Sequence, residues 1–297
     1  MAQLKTQAWR TELEDLMRGI AGAFLFGAPF LYTMEVWWKG NFTSPPRMML
    51  ILGIAYLALV LLNIKGGFRS RQPRSHTQIL TESAEGLAIA LLTAALSLAL
   101  IGLLRFETGV DAILGRVITL CLPFAIGVGI ANNILLQTDS ADADLTPKHN
   151  GQERALIDSS WYDRAWRSTL SDAGAALLGA IIVGASIALT DEIPMIASSL
   201  SPARLLLIMA SSLLLSYIIV FQANLGAQRQ RRSQPGFFQS PISETLASYL
   251  ISLAISLLML WLFQVIRIGD PVNQWVSYMI VLGLPSTIGG AAGRLAM

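Results

Sequence analysis

Long apolar runs separated by short polar stretches cover almost the whole chain. Eight of them reach the roughly 20 residues that a helix needs to cross hydrocarbon. The predicted spans are roughly 14–37, 48–64, 82–104, 112–135, 168–189, 204–225, 244–266 and 274–295.

The pattern is said twice. Residues 8–35 read AWRTELEDLMRGIAGAFLFGAPFLYTME, and residues 165–192 read AWRSTLSDAGAALLGAIIVGASIALTDE, identical at 11 of 28 positions without a gap. Chance would give roughly two or three. The matches include Trp9 and Trp166, Asp15 and Asp172, Gly22 and Gly179, Gly27 and Gly184, and Thr33-x-Glu35 and Thr190-x-Glu192. At the same offset of 157, Ser44-Pro45-Pro46-Arg47 returns as Ser201-Pro202-Ala203-Arg204. After a five-residue insertion the offset is 162, and Glu82 meets Glu244, Pro123 meets Pro285 and Gly127 meets Gly289.

Four spans per half is an even number, so both halves enter the membrane from the same side. The repeats are then parallel, related by a pseudo-twofold axis along the membrane normal. The expected fold is an all-α polytopic membrane protein with eight transmembrane helices in two tandem four-helix repeats. Its expected divisions are an N-terminal segment 1–7, a first repeat 8–135, a polar linker 136–164 and a second repeat 165–297.

Charge sets the orientation, because short cytoplasmic loops concentrate Lys and Arg. Lys5 and Arg10 precede the first span, Lys65, Arg69, Arg71 and Arg74 lie between the second and third, and Arg229, Arg231 and Arg232 between the sixth and seventh. The opposite loops carry only Lys39 and Arg47, Arg105, then Arg204 and Arg267. Both termini and the linker are expected in the cytoplasm. The first apolar run is long enough to remain as an anchor, so no cleavable signal is expected.

Composition narrows the classes. The chain is 54% hydrophobic and 13% charged, with a mean hydropathy of +0.56, which points to a lipid bilayer as its surroundings. A net charge of +2 is too small to suggest nucleic acid. The single cysteine, Cys121, permits no internal disulfide. The spans contain no lysine, so no retinal Schiff base, and no histidine, so no haem or usual zinc-hydrolase site. There is no phosphate-binding glycine loop with a lysine. His76 and His149 fall in polar loops. Asp139, Asp142 and Asp144 in the linker lack the glycine and terminal glutamate of a calcium loop, so the linker reads as solvated. Trp9, Trp161 and Trp166 read as interfacial anchors. No cofactor and no enzymatic activity are expected.

A charged group within a span is costly and asks for a reason. Asp15, Asp172, Glu82 and Glu244 are expected to open spans, where a first-turn carboxylate can cap free N–H groups. Glu35 and Glu192 are expected at the C-terminal ends of the first spans, where the helix dipole opposes an anion. With Thr33 and Thr190 two residues before them, they suggest a mouth that attracts cations. Exposure to outside water, or pairing with Arg47 and Arg204, is the structural rival. In the fourth spans, Pro123 and Pro285 followed by Gly127, Gly129, Gly289 and Gly290 suggest a kinked or unwound turn whose carbonyls could hold a cation. The rival is glycine that merely lets helices touch. Ala23-x3-Gly27 and Ala180-x3-Gly184 read as packing faces.

The run Gly27-Ala28-Pro29-Phe30-Leu31-Tyr32-Thr33-Met34-Glu35-Val36-Trp37-Trp38 is similar to a signature of a bacterial family of integral membrane proteins of unknown function. The similarity extends over most of the chain. It implies a prokaryotic plasma membrane and supplies neither an activity nor a functional residue. From the residues, the expected function is a cation channel or ion-coupled cation transporter, with an inorganic cation and the bilayer as partners and assembly into a homo-oligomer compatible with it. The alternative is a membrane scaffold or sensor whose cytoplasmic arginine loops bind anionic lipid or a partner protein.

Overall fold

The computed structural model describes the backbone of residues 2–64, 68–69, 75–104, 109–144, 159–222 and 241–296, and side chains at 9–64, 68–69, 75–104, 109–131, 170, 172–221 and 241–295. Among the described residues all regular structure is helical. The first half comprises α1 (Ala2–Leu31), α2 (Met34–Asn41), α3 (Pro45–Asn63), α4 (His76–Leu100) and α5 (Val110–Asp144). The second comprises α6 (Ser159–Ala188), α7 (Glu192–Ser198), α8 (Pro202–Tyr217) running into a π-turn at Ile218–Gln222, α9 (Pro241–Leu262) and α10 (Val272–Ala296). Among the described residues six helices are long and apolar enough to cross a membrane, and two bent pairs raise the number to eight if each pair is one span.

Local chemistry explains the boundaries. Pro45 and Pro202 occupy the first helical positions of α3 and α8, where a missing N–H costs nothing. Ser75 and Gln78 form a reciprocal capping box at the start of α4. α4 ends on Gly102, at φ +78°, with Leu103 N–H donating to the Leu98 carbonyl at 2.9 Å. α9 ends in the same way on Gln264, at φ 62°, with Val265 N–H donating to Leu260 at 2.9 Å. Gly102 and Gln264 correspond at the offset of 162.

Close packing centres on α1 with α5 and on α6 with α10. A Cβ added to Gly22 would strike the Gly127 carbonyl, and one added to Gly127 would strike that of Gly22. Gly179 and Gly289 oppose each other in the same manner. Gly27 lies under the ring of Phe124, which meets Phe24 edge-on at 5.7 Å. Without a hydrophobic force between helices in lipid, such dispersion contacts between backbones hold a bundle together.

The structure corrects three expectations. α1 and α6 begin well before the apolar runs, because polar residues such as Glu12 and Glu14 propagate a helix about as readily as leucine. Asp15 and Asp172 therefore lie well inside helices and cap nothing. α5 and α10 run unbroken through Pro123 and Pro285. The breaks follow α1 and α6 instead: Trp9–Leu31 and Met34–Asn41 meet at 84°, and Asp172–Ala188 and Glu192–Ser198 at 83°. Of the linker, helices α5 and α6 take up 136–144 and 159–164, while His149 lies outside the described residues.

Candidate functional site

α1 and α6 each stop where a threonine hydroxyl turns back on the helix. Thr33 Oγ1 donates to the Pro29 carbonyl at 3.0 Å, and Trp37 Nε1 donates to the Leu31 carbonyl at 2.9 Å. Thr190 Oγ1 donates to Ile187 at 2.7 Å. The Trp37 bond serves a carbonyl at the end of the interrupted helix, while the Pro29 and Ile187 carbonyls also accept a backbone N–H, from Tyr32 at 3.3 Å and from Thr190 at 3.0 Å. The chain then restarts at right angles, so Glu35 stands in the first turn of α2 and Glu192 in the first turn of α7. Both carboxylates therefore stand at helix N-termini, where the dipole favours an anion, and not at the expected C-terminal ends, where it opposes one.

The two breaks meet across the halves. Glu192 Oε1 accepts the backbone N–H of Met34 at 3.1 Å, so a carboxylate of the second half serves the N-terminus of α2 in the first. Glu35, the next residue along, is exposed. Among the described residues neither Glu35 nor Arg47 is in an ion pair. Arg204 lies against Gly102. Tyr32, buried at the first break, donates its hydroxyl to the Val281 carbonyl at 2.8 Å. That carbonyl is four residues before Pro285, whose missing N–H leaves it without a helix partner. A side chain from the other half thus replaces the bond that proline removes, and α10 stays helical.

The remaining sequence candidates are dispersed. Asp15 is buried and pairs with Arg18 at 2.6 Å, and Arg18 also donates to the Phe68 carbonyl at 3.2 Å. Asp172 is half-buried. Glu82 lies in the second turn of α4, past the cap, and Glu244 lies in the first turn of α9, paired with Arg294. Arg294 also donates to Ser248 Oγ at 3.1 Å and lies over the Phe221 ring at 5.9 Å. Gly127 and Gly289 hold the helix crossings described above. Among the described residues no three His, Cys, Asp or Glu side chains group as a metal site would require.

Several contributors went unremarked in the sequence. Arg18, Arg116 and Arg294 all fall inside predicted spans, and an intramembrane arginine was signal enough. Arg116 donates to Asn41 Oδ1 at 2.6 Å and to the Leu103 carbonyl, tying the end of α2 to α5. Ser248, Ser252 and Ser256 recur every four residues along α9, and Ser256 Oγ donates to Ser286 Oγ at 2.9 Å. At the offset of 162 the first half has Gly86, Ala90, Ala94 and Phe124, so this buried polar line belongs to one half only. Arg69 bridges Glu12 at 3.0 Å and Glu85 at 2.7 Å. Burial would lower the pKa of its guanidinium, but these two carboxylates outweigh burial and raise it.

A family model described as "Putative integral membrane protein (DUF2391)" matches residues 15–297. No curated protein and no solved structure matches the chain.

Proposed function

This chain belongs to the DUF2391 family of integral membrane proteins, and from that premise we propose that it moves inorganic cations across the membrane. The observation that carries the reading is the pair of interrupted first spans, bent by 84° and 83°, which meet through Glu192 and Met34. Helices broken at matching places in two halves are a recurrent way to put polar backbone and carboxylates at a translocation site. In this reading each bent pair is one span, giving eight in two parallel four-span repeats with both termini in the cytoplasm of a prokaryotic cell. Glu35 and Glu192 then face the outer side and attract the cation, with Thr33 and Thr190 beside them. The scaffold reading is second, because Arg69, one of the arginines it needs, is engaged by Glu12 and Glu85.

The test is cation flux into liposomes with Glu35→Gln, Glu192→Gln and the double variant. Glutamine keeps a side-chain oxygen for the Met34 N–H while removing charge. The double variant should lose flux while its melting temperature stays close to that of the parent. Unchanged flux, or no flux of any alkali or divalent cation by the parent, would reject the proposal.

A further inference from the structure

The right-angle turn after the first break also builds a feature that cation movement does not require. α2 buries Trp37 and Gly40 against α5, and a Cβ on Gly40 would lie 2.8 Å from Arg116 Cα. Its other side, together with the turn into α3, encloses an open pocket of about 340 Å³ lined by Trp38, Lys39, Phe42, Thr43 and Arg47. The turn is fixed: Thr43 Oγ1 donates to the Lys39 carbonyl at 2.8 Å, and Thr43 N–H donates to Gly40 at 3.3 Å. The lining holds two cations and no anion. Among the described residues neither Lys39 nor Arg47 has an ion-pair partner, including Glu35 one turn earlier on α2.

The apolar surroundings say what kind of anion fits. Trp38 is 67% exposed and Phe42 81% exposed, beside the cations. Below the pocket the outward side of α3 continues as Met49, Leu50, Leu57 and Leu61, all exposed. A soluble anion would use the cations and leave this surface unmatched. An amphiphile uses both, with its phosphate between Lys39 and Arg47 and its chains along α3. Tryptophan at such a boundary sits at headgroup depth, and basic groups there attract anionic lipid.

We propose that the corner between α2 and α3 is a binding site for one anionic phospholipid, held by Lys39 and Arg47 at its phosphate and by Trp38 and Phe42 at its glycerol and upper chains. The site is single. At the offset of 157 its residues become Met195, Ile196, Ser199, Leu200 and Arg204, which retain one cation, and that cation is turned toward Gly102.

Native mass spectrometry of the full chain, titrated with phosphatidylglycerol or phosphatidylcholine, tests this. One phosphatidylglycerol per chain should be retained and phosphatidylcholine should not. The double variant Lys39→Gln with Arg47→Gln should raise the half-saturating lipid concentration by about tenfold or more, since each cation contributes roughly fivefold. Arg267→Gln, an exposed cation elsewhere, should leave it unchanged, and Glu35→Gln should leave it unchanged or lower it. Equal retention of both lipids, or full retention by the double variant at unchanged melting temperature, would overturn the proposal. So would displacement by millimolar glycerol phosphate, which would assign the pocket to a soluble phosphate. A dimer whose assembly is lost in the double variant would assign it to a second copy.

Discussion

Tyr32 and Pro285 show how one residue can answer for a defect in another 253 positions away. The hydroxyl–carbonyl bond is buried, and removing one partner leaves the other desolvated. Tyr32→Phe should therefore cost about 1–3 kcal/mol in reversible unfolding. Pro285→Ala restores an N–H to the Val281 carbonyl, so on that background the cost of Tyr32→Phe should shrink by about 1 kcal/mol. An equal cost on both backgrounds would mean that the hydroxyl does not serve this carbonyl. Glu35 and Glu192 teach the complementary lesson. Their identity and pairing were legible, but their electrostatic setting depended on which side of a break they fell. Pro29 and Thr33 were available as warning signs, since a hydroxyl that bonds its own preceding turn competes with the helix ladder.

At the scale of elements, glycine decides how closely helices approach. Gly22→Ala or Gly127→Ala forces α1 and α5 apart, and each should destabilise by about 1–3 kcal/mol, measured as a lowered melting temperature in detergent. Gly179→Ala and Gly289→Ala should behave alike. Gly53, on α3 with nothing near its would-be Cβ, is the control: alanine there should change stability by less than about 1 kcal/mol. Helix ends give a second comparison. Gln264 occupies a left-handed conformation that Gly102 adopts without strain, so Gln264→Gly should stabilise by about 1 kcal/mol. The reverse change, Gly102→Gln, should destabilise, because a Cβ is strained at φ +78° and the Arg204 guanidinium would have to move aside for it. A lowered melting temperature for Gln264→Gly would contradict this account of the cap.

For the molecule as a whole, the proposed orientation has a direct check. Cys121 is buried, so a Cys121→Ser background offers no native thiol. His76→Cys at the start of α4 and Ile268→Cys in the turn between α9 and α10, both exposed, should label from opposite sides in intact cells, with Ile268→Cys reached from outside. Labelling from one side only would refute the arrangement. The sequence by itself determined that the chain is a helical membrane protein and that its two halves carry the same pattern. It also showed which acids, prolines and glycines recur, because hydropathy and spacing are properties of the chain alone. Only the tertiary structure decided where the spans break, since Pro123 and Pro285 remain helical while Thr33 and Thr190 mark right-angle turns. It also decided what each charge faces. Asp15 finds Arg18 one turn away, whereas Glu192 reaches Met34 and Tyr32 reaches Val281 across the halves. A break is a competition between one helix's hydrogen bonds and those its neighbours offer, and the neighbours are known only once the chain has packed.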